Sequence, residues 1–274
     1  MLHTCAALTT QADPLARPGD MLLRHDIRLL VDEGVIDMPV NTWPIPWANV
    51  FDQLNRAPAG QLSPEMISAM TRLRDRARWE LDTGEWYLTG WASAAAEPRV
   101  IRTFEDTPRE VAEAGVAFSW TGNRITINLS AAYANDPVDE EEFRPVDTYI
   151  GMVLGNWMLT AGWQQRWWGP GNDASSLLSS NARPRPGVTL QRNLSTPFET
   201  KWLSWLGPWN LTTFMEHLDD ERQTEVPLLW GFRFGFRPLM GLEINVTRTA
   251  MWCGEGRPCD FSTFLDVLKG NDNQ

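Results

Sequence analysis

Leu228-Leu229-Trp230-Gly231-Phe232-Arg233-Phe234-Gly235-Phe236-Arg237 alternates large apolar side chains with arginine and glycine. Successive residues of a strand point to opposite faces, so Leu228, Trp230, Phe232, Phe234 and Phe236 line one side and Leu229, Gly231, Arg233, Gly235 and Arg237 the other. The next stretch repeats the pattern, with Met240, Leu242, Ile244 and Val246 set against Gly241, Glu243, Asn245 and Thr247. Toward the N-terminus, Ile125, Ile127, Leu129, Ala131 and Tyr133 alternate with Thr126, Asn128, Ser130 and Ala132, and Val116, Phe118 and Trp120 with Ala117 and Ser119.

The polar faces identify the surroundings. A soluble sandwich would present Lys and Thr to bulk water, yet the whole chain holds only Lys201 and Lys269. Arg, Glu, Asn and Gly suit a water-filled lumen instead, with the apolar face turned to lipid. A large soluble barrel is the alternative. Nine strands can be drawn, at about 100–104, 115–120, 124–133, 149–154, 157–164, 188–194, 209–217, 227–236 and 239–249. Tight turns at Thr121-Gly122-Asn123, Gly155-Asn156 and Arg237-Pro238 alternate with longer polar connections at 105–114, 134–148, 165–187 and 218–226. Outer-membrane barrels have short periplasmic turns and longer external loops, which places the long connections outside the cell. The link 195–208 breaks the rhythm, and with Pro197, Trp202 and Trp205 it is expected to pack under the barrel mouth.

Residues 18–92 read as a helical bundle and residues 93–274 as barrel wall. Asp20 is a suitable N-cap for a helix over about 21–33, with Leu22, Leu23, Ile27, Leu30 and Val31 on one face and Gly34 as its stop. A short helix follows from about Trp47 to Asn55, and Ser63-Pro64 opens another to about Leu81. Arg72, Arg74, Arg76 and Arg78 wrap around that helix as a solvated face, partly paired to Asp75 and Glu80.

Composition narrows the function. The 274 residues carry a formal charge of -11, which disfavours nucleic acid as a partner, and no run of 18 uncharged apolar residues could span a membrane as a helix. Cys253 and Cys259 bracket five residues with no further zinc-type ligand nearby, so a small disulfide ring and two free thiols both stand, and no metal or cofactor is expected. Met1 to Ala12 has neither a basic start nor an apolar core, so no intact signal peptide is legible there.

The connection holding Gln165-Arg166-Trp167-Trp168-Gly169-Pro170-Gly171 and Asn181-Ala182-Arg183-Pro184-Arg185-Pro186-Gly187 is the candidate site. Adjacent indoles in a Gly/Pro loop can lie flat on sugar rings, while Arg166, Arg183 and Arg185 can bind hydroxyls and carboxylates. Equally, Trp167 and Trp168 would serve in an interfacial belt or seal the loop onto the body. Asp219, Asp220 and Glu221 are candidate acids for a polysaccharide-modifying enzyme, although adjacent residues in a polar loop read more simply as a solvated charge run. His3, His25 and His217 fall in no triad or metal spacing. An Arg-lined porin is a further alternative, which the helical bundle disfavours.

From about Pro18 onward the chain resembles the Wzi family of outer-membrane capsule-assembly proteins. The resemblance rests on Leu23-Arg24-His25-Asp26-Ile27-Arg28 through Thr42-Trp43-Pro44, on Leu154-Gly155-Asn156-Trp157-Met158-Leu159, and on Arg166-Trp167-Trp168-Gly169-Pro170-Gly171. Asn181-Ala182-Arg183-Pro184, Leu190-Gln191-Arg192-Asn193, Pro197-Phe198-Glu199, Trp202-Leu203-Ser204-Trp205-Leu206-Gly207-Pro208-Trp209 and Gly256-Arg257-Pro258 add to it. It implies a mainly β protein with an N-terminal α-helical bundle in the periplasm and an antiparallel transmembrane β-barrel. It also implies a non-enzymatic lectin that holds capsular polysaccharide on the cell surface, with outer-membrane lipid around it and capsule-export proteins as possible partners. About nine of the roughly eighteen strands of such a barrel are present, so the expectation is a partial sequence showing an incomplete wall with open edges.

Overall fold

The computed structural model describes residues 5–7, 13–58, 60, 62–99, 101–135, 137, 141–218 and 226–270. In chain order, β1 (Cys5–Ala7) and β2 (Leu15–Ala16) precede α1 (Met21–Asp32), β3 (Thr42–Trp43), β4 (Ile45–Pro46), α2 (Trp47–Arg56) and α3 (Pro64–Glu80). Then follow β5 (Trp86–Ala94), β6 (Ala112–Thr121), β7 (Ile125–Asn135), β8 (Phe143–Pro145), β9 (Tyr149–Leu154), β10 (Trp157–Trp163), β11 (Trp167–Trp168) and β12 (Pro186–Arg192). A 3-10 turn over Ser204–Leu206, β13 (Trp209–His217), β14 (Leu228–Leu239), β15 (Leu242–Trp252) and α4 (Phe261–Lys269) complete the chain.

Eleven strands form one antiparallel sheet in the order β1-β5-β6-β7-β9-β10-β12-β13-β14-β15, with β8 paired to β7. The sheet is open: β1 and β15 lie at its borders and do not pair with each other among the described residues. Its polarity is the reverse of a soluble sheet. Along β7, Leu129 is 48% exposed and its neighbour Asn128 1%. Leu88, Val116, Ile125, Ile150, Val188 and Val246 are exposed on the same outward face, while Thr126, Thr160, Thr189, Gln191, Thr212 and Arg233 are buried on the inner one. Registers such as Arg233↔Thr247, Phe234↔Val246 and Phe236↔Ile244 keep the two sets apart across strands, whereas Arg248 opposite Phe232 donates to the last carbonyls of α4. Gly231 sits on the inner face because a Cβ there would meet the Phe214 ring at 2.1 Å.

The three N-terminal helices pack against that inner face. Asp20 caps α1 by accepting from the Leu23 N–H, and Ser63 caps α3 ahead of Pro64 at its first turn. Ile27, Leu30 and Val31 of α1, Trp47, Val50 and Leu54 of α2, and Leu73 and Ala77 of α3 share one core with Trp43. Each large apolar side chain fully buried there contributes about 1.5–3 kcal/mol. Arg72 is not simply solvated, since its guanidinium reaches Asp26 of α1 at 2.7 Å through two donors. On the wall side, Arg233 donates to Thr42 at 2.8 Å, Arg237 to Asp37 at 3.0 Å, and Ser195 N to Asn49 at 2.9 Å.

Two sequence expectations change. Residues 101–104 are not a strand: Arg102 and Phe104 turn inward from a connection and are buried. The wall instead begins at Trp86, inside the residues read as helical bundle, and β5 pairs with β6 from Trp86↔Trp120 to Ala94↔Ala112. The link at 195–208 meets the helices only at its start, where Ser195 donates to Asn49, and its later part packs on the wall through Leu206 and Phe198 against Trp209 and Phe236.

Candidate functional site

Connections 95–111, 136–148 and 164–185 leave the sheet at one end, opposite the tight turns at 122–124, 155–156 and 240–241. Instead of standing clear, the described parts of connections 95–111 and 164–185 fold onto the inner face. Trp167 and Trp168 pair as β11 with Trp43 and Thr42 of β3, and both indoles are 0% exposed. Phe104 stands edge-on between Trp43 and Trp167, with ring centroids 5.0 and 5.6 Å away. The backbone of the loop is held by Arg24, whose Nη2 donates to the carbonyls of Gly169 (3.1 Å), Pro170 (3.1 Å) and Gly171 (2.9 Å).

Below the long connections lies a cavity of about 480 Å³, walled by the segment before α1, by the β5–β7 part of the sheet and by the arginine-rich connections. Trp91 of β5 faces into it, half-buried, with its indole flat against Gly115 of β6, where a Cβ would come within 2.5 Å of the ring. Thr89, Ser93 and Ser130 add hydroxyls to the same lining.

One flank is a carboxylate network joining helix to wall. Tyr149 O–H and Leu15 N–H donate to Asp13, and the Asp13 N–H in turn donates to Glu80 at 2.6 Å. Arg76 Nε donates to the other Glu80 oxygen at 2.5 Å. Burial disfavours the charged form of Glu80, and the nearby Asp13 charge adds to it against the pull of Arg76, so its pKa is pushed up to about 7. Both Glu80 oxygens are committed, which suits a structural tie better than proton transfer.

The other flank gathers arginines from three connections. Arg144 and Arg183 share Glu110 at 3.0 and 2.8 Å. Arg109 donates to the Ser180 and Asn181 carbonyls, the latter at 3.1 Å. Arg102 reaches Asp106 at 3.1 Å, while its Nε and Nη1 are buried without a hydrogen-bond partner. Burial, with the like charges of Arg102 and Arg183 beside it, pulls Arg109 down to about 10. A flat indole, hydroxyls and crowded guanidinium groups can recognise a hydroxylated ligand bearing negative charge without covalent chemistry.

The residues singled out in the sequence are therefore dispersed. Trp167 and Trp168 are core, not sugar platforms: burial against the helices leaves no ring face free. Arg166 is buried over the Phe214 ring at 4.1 Å, paired with Glu216 and donating to Thr189 at 2.7 Å. Arg183 lines the cavity, and half-buried Arg185 carries its charge toward Glu216. Cys253 and Cys259 are joined as a disulfide after β15. Asp219, Asp220, Glu221 and His3 lie outside the described residues, and His25 and His217 are exposed. The sequence reading missed Trp91, Arg102 and Arg109. An indole at an inward position of a strand was the available signal for Trp91, whereas nothing local marks the two arginines.

The comparisons with known proteins agree with this architecture. The family model described as "Capsule assembly protein Wzi" matches residues 90–274. A relative described as an uncharacterized 55.8 kDa protein in the cps region of Klebsiella pneumoniae is 29% identical over 257 residues, which is 93% of this chain and 50% of that protein. A solved structure is described as Wzi, an outer-membrane protein involved in group 1 capsule assembly in Escherichia coli and a carbohydrate-binding β-barrel. It superimposes with a TM-score of 0.80 at 26% identity, covering 91% of this chain and 56% of that one. The chain thus spans about half the length of the proteins it matches. With the family model covering more than half of its residues, the chain belongs to the Wzi capsule-assembly family.

Proposed function

We propose that the protein is a non-enzymatic outer-membrane lectin that holds capsular polysaccharide at the cell surface, with Trp91, Arg102, Arg109 and Arg183 around the cavity as its binding residues. The observation that carries the reading is the inverted wall: apolar residues outward, polar residues and a charged cavity inward. In lipid every backbone polar group needs an internal partner, so such a sheet belongs in a closed barrel, and its present borders are edges that further strands would pair. The long connections would face outward. The helices would sit on the periplasmic side, a placement supported by the segment between α1 and β3 at the tight-turn end, where Val40 N and Asn41 N donate to Glu243, while Arg24 of α1 reaches across to the long connection. Packing of the helices against the inner face speaks against an open diffusion channel.

The related Escherichia coli protein is described as carbohydrate-binding, which supports the same ligand class here. In the cavity the Trp91 indole would stack on the C–H face of a sugar ring, and the guanidinium groups would bond hydroxyls or carboxylates. The test is polysaccharide binding by the intact protein in detergent. Trp91→Ala is expected to weaken binding about tenfold, from the roughly 1–1.5 kcal/mol of a stacked ring, with the melting temperature little changed. Unchanged affinity in a folded variant would remove the cavity from the binding site.

A further inference from the structure

The link between β12 and β13 is the one long connection at the tight-turn end, and it folds onto the outer side of the wall. Leu203 N and Ser204 N both donate to the Thr200 carbonyl, closing a compact turn. Leu206 is buried with Trp209 and Phe236, Phe198 stacks on Trp209 with centroids 4.4 Å apart, and Trp205 meets Phe236 edge-on at 6.1 Å. Phe236 lies in register with Ile244 on the outward face. That packing secures the segment while leaving Trp202 87% and Trp205 62% exposed, beside exposed Leu203 and, across the same rim, Leu239 and Met240. Exposed Lys201, one of two lysines in the chain, precedes the first indole.

We propose that residues 201–205 form a lipid anchor, with the Trp202 and Trp205 indoles seated at the headgroup level of the membrane leaflet on the tight-turn side and Lys201 directed to lipid phosphate. The occupant follows from continuity and chemistry. The segment prolongs a wall face already apolar along its length. Indoles partition to the zone where an apolar body meets wet headgroups, and an ammonium on a long stem reaches the phosphates beside them. A groove for another protein would gather these rings into a concave patch, whereas here they protrude from a turn at the rim. The inference rests on the outer-membrane reading.

The experiment separates the two. The intact protein, in a Cys5→Ser background because Cys253 and Cys259 are disulfide-bonded, carries a bimane probe at position 202 (Trp202→Cys) or at position 129 (Leu129→Cys). Both sites are exposed, so neither change opens a cavity in the core. In phosphatidylethanolamine/phosphatidylglycerol vesicles, the probe at 202 is expected to be quenched at least about twofold more by a headgroup nitroxide than by one deep in the acyl chains, with the reverse order at 129. Quenching at 202 by aqueous iodide alone, or protection from both iodide and lipid nitroxides, would overturn the anchor while a lipid-quenched position 129 keeps the membrane reading. Absence of lipid quenching at both positions would overturn both.

Discussion

Glu80 ties the helices to the segment that borders the cavity, and its titration is a property of the folded state. Its carboxyl is raised from 4.5 to about 7, so the native state keeps a proton in a window where the unfolded chain has lost it. The resulting stability is fully present below about 4.5 and is lost as pH rises through about 7. Thermal unfolding followed by helical circular dichroism is expected to show a melting temperature that falls across this window in the wild type and stays flatter in Glu80→Gln. At Trp167 the outcome is structural: Trp167→Ala is expected to destabilise by about 3–5 kcal/mol, as for other buried large aromatics, and to affect ligand binding only through that loss. A denaturant titration that leaves the midpoint unmoved would contradict its burial. The contrast between the tryptophans explains what the sequence could convey. Trp167-Trp168 beside Gly and Pro signals an irregular loop, but nothing local says whether such a loop turns toward solvent or toward a core, because the helices that cover it lie far earlier in the chain, at 21–80. Trp91 gave a weaker signal, since its strand carries Gly90, Ala92 and Ala94 where other strands carry Leu, Val or Phe.

Among the elements, the connection 164–185 is held chiefly by the Arg24 guanidinium, with Arg28 donating to Pro170 and Asn172 beside it. Arg24 satisfies three consecutive carbonyls of a turn, and its Nε and Nη1 are otherwise unpartnered. Removing it strips the Gly169 carbonyl of its side-chain donor, at about 1–3 kcal/mol for a buried group left unsatisfied, while Pro170 keeps Arg28 and Gly171 keeps the Trp167 indole N–H. In Arg24→Met, limited proteolysis within 169–180 is expected to quicken by at least about tenfold while the wall strands stay protected. Equal cleavage rates would show that β11 and the aromatic packing hold the loop alone. The elements themselves were largely readable. Period-two alternation located β6, β7, β9, β10 and β12 to β15, and caps at Asp20, Ser63 and Gly34 located the helices. Residues 101–104 misled because Ile101, Thr103 and Phe104 are β-branched or aromatic types that favour strands, whereas their backbone follows contacts with Asn181 and Asn172 far along the chain. The arginine cluster could not be read at all, since Arg102, Arg109, Arg144 and Arg183 come from three connections joined only by folding.

For the molecule as a whole, the central claim is that one face of the wall meets lipid and the other encloses helices and a ligand cavity. The claim makes opposite assignments for neighbouring residues, so β7 provides the sharpest test. Single cysteines at positions 125 to 130, introduced one at a time into the Cys5→Ser protein and labelled with an environment-sensitive probe, report the medium at each step. Positions 125, 127 and 129 should be quenched by acyl-chain nitroxides, and positions 126, 128 and 130 should not. A period of two in lipid quenching is the result this account requires. Uniform protection along the strand, or lipid contact at 126, 128 and 130, would contradict it.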